Sequence, residues 1–434
     1  MKETIMKEPS DLSSNPPSDS NASNYKRNRV LIAFGLIELC MGILYMWSVF
    51  AKYVMSEFAI PKPQVAMTGS MMLAGFVLGI LLGGRIQDKT GPRPVVIAGI
   101  IAYAGGLIAA SFAVTHGITP LYITYGIIGG IGVGAVYNTA LTCCQKWFPD
   151  KKGFAAGVLV CFFGFSVVLF TPVAEILLTS VGLQMTWRIL GIIFLVVCMP
   201  ISILIKNPPA GYMPVGYKPL VSHDLVKHYT TSEMLKKPSF YYLTLSLMLI
   251  TPAYFILMPL LRSIGESRGL SPSMALFAVM VTGIASSAGR LICPWISDHI
   301  GRENTNFIVI AISACSSLAL ISAHGILFLI LVAAVSFSFG SLAGIYPPIT
   351  SELFGWKHLG ANYGCVMVGY GVSALVFPYL ANIINSQYAN SGGTYTLPFI
   401  IPVLTCIVAF IMVLLVKKAK KEIILRNEKI ILNK

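Results

Sequence analysis

The stretch Gly84-Arg85-Ile86-Gln87-Asp88-Lys89-Thr90-Gly91-Pro92-Arg93 separates two strongly apolar runs. Part of it returns 210 residues later as Asp298-His299-Ile300-Gly301, again between two apolar runs, and the same offset pairs Gly79 with Gly289. A second echo sets Trp147-Phe148-Pro149-Asp150-Lys151-Lys152-Gly153 against Leu353-Phe354-Gly355-Trp356-Lys357. Equivalent loops that recur after six apolar runs indicate a parallel internal repeat, the plan of carriers that rock around a central site.

Working outward from these loops, twelve apolar runs can be read, at about 30–52, 64–83, 94–114, 119–145, 153–179, 186–205, 240–263, 272–296, 304–323, 325–351, 360–385 and 397–416. Each is near the roughly 20 residues that a helix needs to cross a bilayer. The composition agrees: 56% of the 434 residues are apolar and 11% are charged, against about 25% charged in soluble domains. Mean hydropathy is +0.76. An all-α polytopic membrane protein of twelve transmembrane helices in two pseudo-symmetric six-helix bundles is expected. Residues 1–28 read as a disordered tail and 29–206 as the first bundle. Residues 207–238 read as a linker, 239–417 as the second bundle, and 418–434 as a second tail that reads as an amphipathic helix on the inner leaflet.

The net charge of +14 comes from 31 Lys and Arg against 17 Asp and Glu. With both termini placed inside, 25 of the 31 basic residues fall on the inner side and five on the outer, while Arg290 lies within a run. That asymmetry is the one expected of cytoplasmic loops, so the charge reports orientation in the plasma membrane with cytoplasmic termini, and no nucleic-acid partner is implied. The nine cysteines all lie in apolar runs without ligand spacing to histidine. Neither a disulfide framework nor a metal site is indicated, and no cofactor is expected. A membrane enzyme would need a nucleophile, metal ligands or a nucleotide loop, and none is evident. A monomer is expected.

The loop Gly84 to Arg93 resembles the inner-loop signature of the major facilitator superfamily. More narrowly, Tyr45-Met46-Trp47-Ser48-Val49-Phe50, the Trp147 to Gly153 motif, and Glu352-Leu353-Phe354-Gly355 followed by Asn362-Tyr363-Gly364 resemble the oxalate/formate antiporter family, a group related to monocarboxylate transporters. The resemblance covers about residues 29 to 418. It implies a secondary carrier of small organic anions that works by alternating access.

Three ionisable side chains stand within the runs: Glu38, Glu175 and Arg290. A charge near mid-bilayer costs at least about 2.5–3.5 kcal/mol, and such residues usually face a polar cavity or a partner. Arg290 precedes Asp298 by eight residues, which places it roughly 12 Å into the membrane at 1.5 Å per residue. Its guanidinium can present two parallel donors to a carboxylate, and the family places an anion-binding arginine at this position. The alternative is an arginine paired with a buried carboxylate that holds the halves together. Glu38 is at a similar depth and fits either a counter-ion to Arg290 or a proton site, or else a helix-packing hydrogen bond. Glu175 lies near the outer end of its run.

The resemblance also exposes two departures. Oxalate carriers of this type use a lysine on the eleventh span, but nothing from Gly360 to Asn385 is Lys or Arg, and Tyr370 takes the lysine's place. One fixed cation cannot neutralise a dianion, and an unpaired buried charge is expensive. A monoanion such as lactate, pyruvate or formate is therefore favoured, with oxalate/formate-type dicarboxylate exchange as the second reading and a transport-dead sensor as a third. Animal monocarboxylate carriers have an aspartate four residues before the arginine, where this chain has Ser286, which weakens any transfer of their proton relay. The family lines its chamber with aromatic rings, and Tyr45, Trp47, Tyr137, Tyr346 and Tyr370 are the candidates. Asp88 and Asp298 are expected to gate the inner end, with Arg85, Arg93 and Arg302 in one charge cluster. Glycines at spacing four, Gly75-Gly79-Gly83 and Gly126-Gly130-Gly134, are expected to let two spans pack closely.

Overall fold

A chain in hydrocarbon must satisfy its own backbone N–H and C=O groups, and this one does so with helices. The structure, a computed structural model, describes residues 20–209, 211–214, 228–391 and 396–432. The first half comprises α1 (Ser20–Met41), a 3-10 turn (Gly42–Met46), α2 (Trp47–Phe58), α3 (Lys62–Thr90), α4 (Pro92–Ala113), α5 (Ile118–Leu121), a π-helical segment (Tyr122–Gly129), α6 (Gly130–Trp147) and α7 (Lys152–Ser202). The short α8 (Thr231–Leu235) lies in the linker. The second half comprises α9 (Pro238–Ile250), α10 (Pro252–Ser267), α11 (Pro272–Ile300), α12 (Arg302–Ala319), α13 (Gly325–Phe354), α14 (Leu359–Ser391) and α15 (Leu397–Leu432). No strand occurs among the described residues.

Each apolar run overlaps helix. Among the described residues, eight helices are long and apolar enough to cross a membrane, and a ninth span is formed if Lys26–Leu44 and Val49–Glu57, bent by 41°, are counted together. α7 holds 51 residues, about 76 Å at 1.5 Å per residue, more than twice a hydrocarbon core of about 30 Å. It breaks at Gly182, whose φ of 77° is left-handed, a conformation glycine adopts without steric cost. The fifth and sixth runs are therefore its two legs. α11 and α12 fall on the eighth and ninth runs but are more polar, carrying Arg290, Arg302, Glu303 and Asn306.

The two glycine stripes face each other. A Cβ on Gly75, Gly79 or Gly83 would overlap the backbone of the π segment and α6, and one on Gly126, Gly130 or Gly134 would meet α3 in turn. Backbones in van der Waals contact gain dispersion energy where the hydrophobic effect drives nothing. The outer faces, including Ile176, Val196, Ile284 and Ile326, stay exposed, as a lipid-facing surface requires.

Both expected tails carry helix where they are described. α1 begins at Ser20, inside the stretch expected as tail, while residues 1–19 lie outside the described residues. α15 runs unbroken through the second expected tail to Leu432. Part of the linker is held to the second half: Tyr229 N–H donates to the Phe354 carbonyl at 3.0 Å, and Asn362 Nδ2 donates to the Tyr229 carbonyl at 3.0 Å.

Candidate functional site

A cavity lies between the halves, lined by Phe76, Tyr137, Val160 and Phe163 of the first and by Arg290, Tyr346, Tyr363, Met367 and Tyr370 among others of the second. In this closed arrangement its free volume is small, about 30 Å³. Arg290 is its only charged lining residue among those described.

α11 carries Arg290 against α7, and glycine makes the fit possible. A Cβ on Gly164 would collide with the Arg290 guanidinium, and one on Gly157 would press on the Arg290 carbonyl. Arg290 is 6% exposed, and its Nη1 donates to the Val160 carbonyl at 3.4 Å. The cation of the second half thus reaches into the first and sits where both halves touch.

Tyr137 packs between Phe76 and Phe163, with ring centroids 5.4 and 5.1 Å away. Tyr370 packs on Phe255 at 5.5 Å and Phe339 at 6.2 Å. Tyr346 is fully buried; its hydroxyl lies 2.9 Å from Ser246 Oγ and accepts from Asn306 Nδ2 at 3.3 Å. Four of the expected residues therefore converge: Arg290, Tyr137, Tyr346 and Tyr370. Phe76, Phe163, Tyr363 and Met367 join them without having been singled out.

Other candidates lie elsewhere. Trp47 donates Nε1–H to the Val65 carbonyl at 3.0 Å and packs on Tyr125 at 4.8 Å, outside the cavity lining. The Tyr45 side chain lies outside the described residues. Glu38 is 1% exposed, and neither carboxyl oxygen has a hydrogen-bond partner among the described residues. It neighbours the thiols of Cys144 and Cys198 inside the first half and does not line the cavity. Glu175 accepts from the Tyr53 hydroxyl at 3.0 Å on an exposed face.

One end of the interface is closed by a reciprocal pair of contacts. Asp88, at the end of α3, accepts the amides of Gly360 at 3.4 Å and Ala361 at 2.9 Å, at the start of α14. Asp298, near the end of α11, accepts the amides of Gly153 at 3.0 Å and Phe154 at 2.8 Å, at the start of α7. Each carboxylate thus satisfies orphan N–H groups at the positive end of a helix in the opposite half. Asn138 adds a bond from Nδ2 to the Gly360 carbonyl at 2.9 Å, and Lys152 donates to Ser351 Oγ at 3.1 Å.

The three arginines do not share one cluster. Arg302 bridges Asp298 at 2.5 Å and Glu352 at 3.2 Å. Lys420, on the extension of α15, joins Glu352 at 2.6 Å and Glu303 at 2.9 Å. Arg93 instead donates to the Ile203 carbonyl within its own half, and Arg85 is exposed beside Cys365. The side chain of Glu352 belongs to the closed end, a role that its family motif alone does not disclose. Its position one turn from a loop motif, with an acid at a helix end, was the available signal.

Two bundles around a buried cationic cavity, closed at one end, have the form of an alternating-access membrane carrier. A family model described as Major Facilitator Superfamily matches residues 31–355, and the chain belongs to that superfamily. It is accordingly a multi-pass membrane transporter rather than an enzyme. Its sequence is 29% identical over 360 residues to an uncharacterised MFS-type transporter of Escherichia coli (strain K12), covering 81% of this chain and 87% of that one. It is 27% identical over 407 residues to the oxalate:formate antiporter of Oxalobacter formigenes, covering 91% and 93%. It is 26% identical to monocarboxylate transporter 13 of Rattus norvegicus, covering 86% and 84%. The fold matches the transporter FucP in its outward conformation, with a TM-score of 0.67 at 15% identity over 89% of this chain and 98% of that one. It also matches an outward-facing bacterial homologue of ferroportin, with a TM-score of 0.71 at 13% identity over 91% and 99%.

Proposed function

We propose that the protein carries a small monocarboxylate across the plasma membrane by alternating access of its two halves, as a proton symporter or an anion exchanger. The observation that carries this reading is Arg290, the sole charged lining residue described in a chamber otherwise built of aromatic and aliphatic side chains. A guanidinium can hold a carboxylate through two parallel N–H···O bonds, and these are stronger in a site that excludes water. Binding between the halves lets the same site face either side as they rock, with Asp88 and Asp298 closing the cytoplasmic end. The test is counterflow of labelled lactate, pyruvate and formate in liposomes. Uptake that is lost in Arg290→Ala, with the purified variant still folded, supports the reading; full uptake in that variant overturns the site.

The similarity to an oxalate:formate antiporter across most of both chains favours a second reading, exchange of a dicarboxylate. It would need a second cation, and the family resemblance sets Tyr370, a residue of the cavity lining, where those carriers have a lysine. Gain of oxalate recognition in Tyr370→Lys would identify that position as the reason for a monoanion preference.

A further inference from the structure

The first half holds a second set of buried polar groups, none of which lines the cavity. Glu38 presents two carboxyl oxygens, Tyr103 and Tyr125 a hydroxyl each and Trp187 its Nε1–H. None of these atoms has a hydrogen-bond partner among the described residues, and all four side chains are at most 1% exposed. They form one string. Glu38 neighbours the thiols of Cys144 and Cys198, Cys198 shares a hydrogen bond with Cys40, and Tyr103 neighbours Cys40, Cys198 and Tyr125. Tyr125 packs on Trp187 with ring centroids 5.8 Å apart. Cys144 stands near the Asp88 end of the bundle, at the close of α6, while Tyr125 and Trp187 stand near the start of α5 and the Gly182 break, at the other end. The string therefore runs lengthwise through the bundle. Tyr125 also belongs to the π-helical segment, a widened turn of a kind frequent at functional sites.

Buried polar atoms left unpaired are costly, and native proteins usually satisfy them with bound water. Glu38 has thiols beside it and no charged side chain among the described residues. No group of three metal-ligating side chains forms among those residues either, so the cation that fits this carboxylate is a proton. We infer that the first half contains a water-filled proton inlet, separate from the substrate cavity, that runs from Trp187 and Tyr125 past Tyr103 to Glu38. The inference rests on the carboxylate-carrier reading and names its coupling ion: one proton travels with each monoanion. Water passes the proton along the file, and Glu38 takes it from COO− to COOH and returns it to water once the halves have rocked. The anion at Arg290 and the proton at Glu38 then cross together without net charge. Tyr103 and Tyr125 are positioning residues, each holding a water in line through its hydroxyl and making no bond to substrate.

Two measurements test the inlet. Radiolytic hydroxyl-radical labelling of the unmutated protein marks side chains beside bound water. Tyr103 and Tyr125 are expected to be labelled, and Phe328, equally buried in an apolar cluster of the second half, is not. Labelling no greater at the tyrosines than at Phe328 overturns the water file. The second measurement compares counterflow of labelled lactate, pyruvate or formate, which needs no net proton movement, with uptake driven by an imposed proton gradient, which does. Tyr103→Phe and Tyr125→Phe, made separately, should keep parental counterflow and slow gradient-driven uptake roughly tenfold or more, as loss of a positioned proton-transfer group does. A dry bundle gives the opposite result: removing an orphaned hydroxyl raises Tm and leaves gradient-driven uptake at the parental rate. That outcome in both variants overturns the inference. So does a gradient that drives no uptake in the parent while counterflow proceeds, which leaves an anion exchanger standing. Failure of every carboxylate to move in either assay, while another solute does, overturns the carrier reading itself and the inference with it.

Discussion

The carboxylate of Asp298 accepts the backbone N–H of Phe154 at 2.8 Å, so an acid near the end of a helix in the second half holds the first turn of a helix in the first. Asp88 does the same in the reverse direction toward Ala361. A hydrogen bond to a charged group contributes about 1.5–3 kcal/mol against about 1 kcal/mol for a neutral one. Asp88→Asn and Asp298→Asn keep the shape, lose the charge and set an NH2 donor where one of the two backbone N–H groups needs an acceptor, so each is expected to shift the carrier at least roughly tenfold toward opening at this end. Spin labels at Lys89→Cys and Lys357→Cys measure the separation of the halves there. A distance distribution identical to that of the labelled parent would exclude the acids as latches.

Gly84 tests the backbone contact beside that latch. A Cβ there would collide with the Gly360 carbonyl and with Asn138 Nδ2, whereas one on Gly105 would meet nothing within 4 Å. Overpacking a tight contact costs about 1–3 kcal/mol, so Gly84→Ala should lower Tm in detergent and widen the same label distance. Gly105→Ala should hold or raise Tm, since alanine is favoured over glycine in a helix interior by about 1 kcal/mol. Equal effects from the two substitutions would refute the close approach.

Arg302 and Lys420 differ in what their loss would leave behind. The Arg302 side chain is 8% exposed and touches both Asp298 and Glu352. Breaking such a buried network by removing one partner costs about 3–5 kcal/mol, and the backbone donors that Asp298 keeps place Arg302→Ala at the lower end. Lys420 and Glu352 are each about a quarter exposed, whereas the Glu303 side chain that Lys420 also pairs is 9% exposed, so Lys420→Ala should cost about 1–2 kcal/mol, less than Arg302→Ala, and be only partly masked by salt. Thermal unfolding of both variants at low and high ionic strength separates the two cases; a larger loss for Lys420→Ala would reverse the assignment.

Glu38 is buried without a hydrogen-bond partner among the described residues and stands away from the cavity lining. Glu38→Gln is therefore expected to keep the counterflow KM of the parent, because the substitution removes no contact with the cavity and so no uniform binding of substrate. Uptake driven by an imposed proton gradient examines coupling separately. Its loss beside intact counterflow would assign the proton to Glu38, while a tenfold rise in counterflow KM would return the residue to the substrate.

Much of this organisation is legible in the residues, and the failures have physical reasons. Loop echoes and apolar run lengths disclose helices in two sets, because a bilayer admits few alternatives. Arg290 stands out because an arginine in a long apolar run needs a reason. Tyr and Trp do not carry the same information: Tyr137 lines the cavity while Trp47 seals α2 against the Val65 carbonyl, and both patterns read as an aromatic in an apolar run. Arg93 and Arg302 each follow a repeated loop, yet one finds a carbonyl in its own half and the other finds acids. Side-chain reach decides between such partners, and spacing along the chain does not contain it. Gly153, Gly157 and Gly164 recur at Gly360, Gly364 and Gly371, and all six meet the opposite half. That repeat was present in the sequence as a pointer to the interface.

The reciprocal caps have a mechanical corollary. The two halves grip each other at two separate edges of one interface, so a rocking motion that parts the whole of this end stretches the Asp88 grip and the Asp298 grip together. Damage to either grip then lowers the same barrier, and the intact grip remains as a hinge about which the other edge can swing.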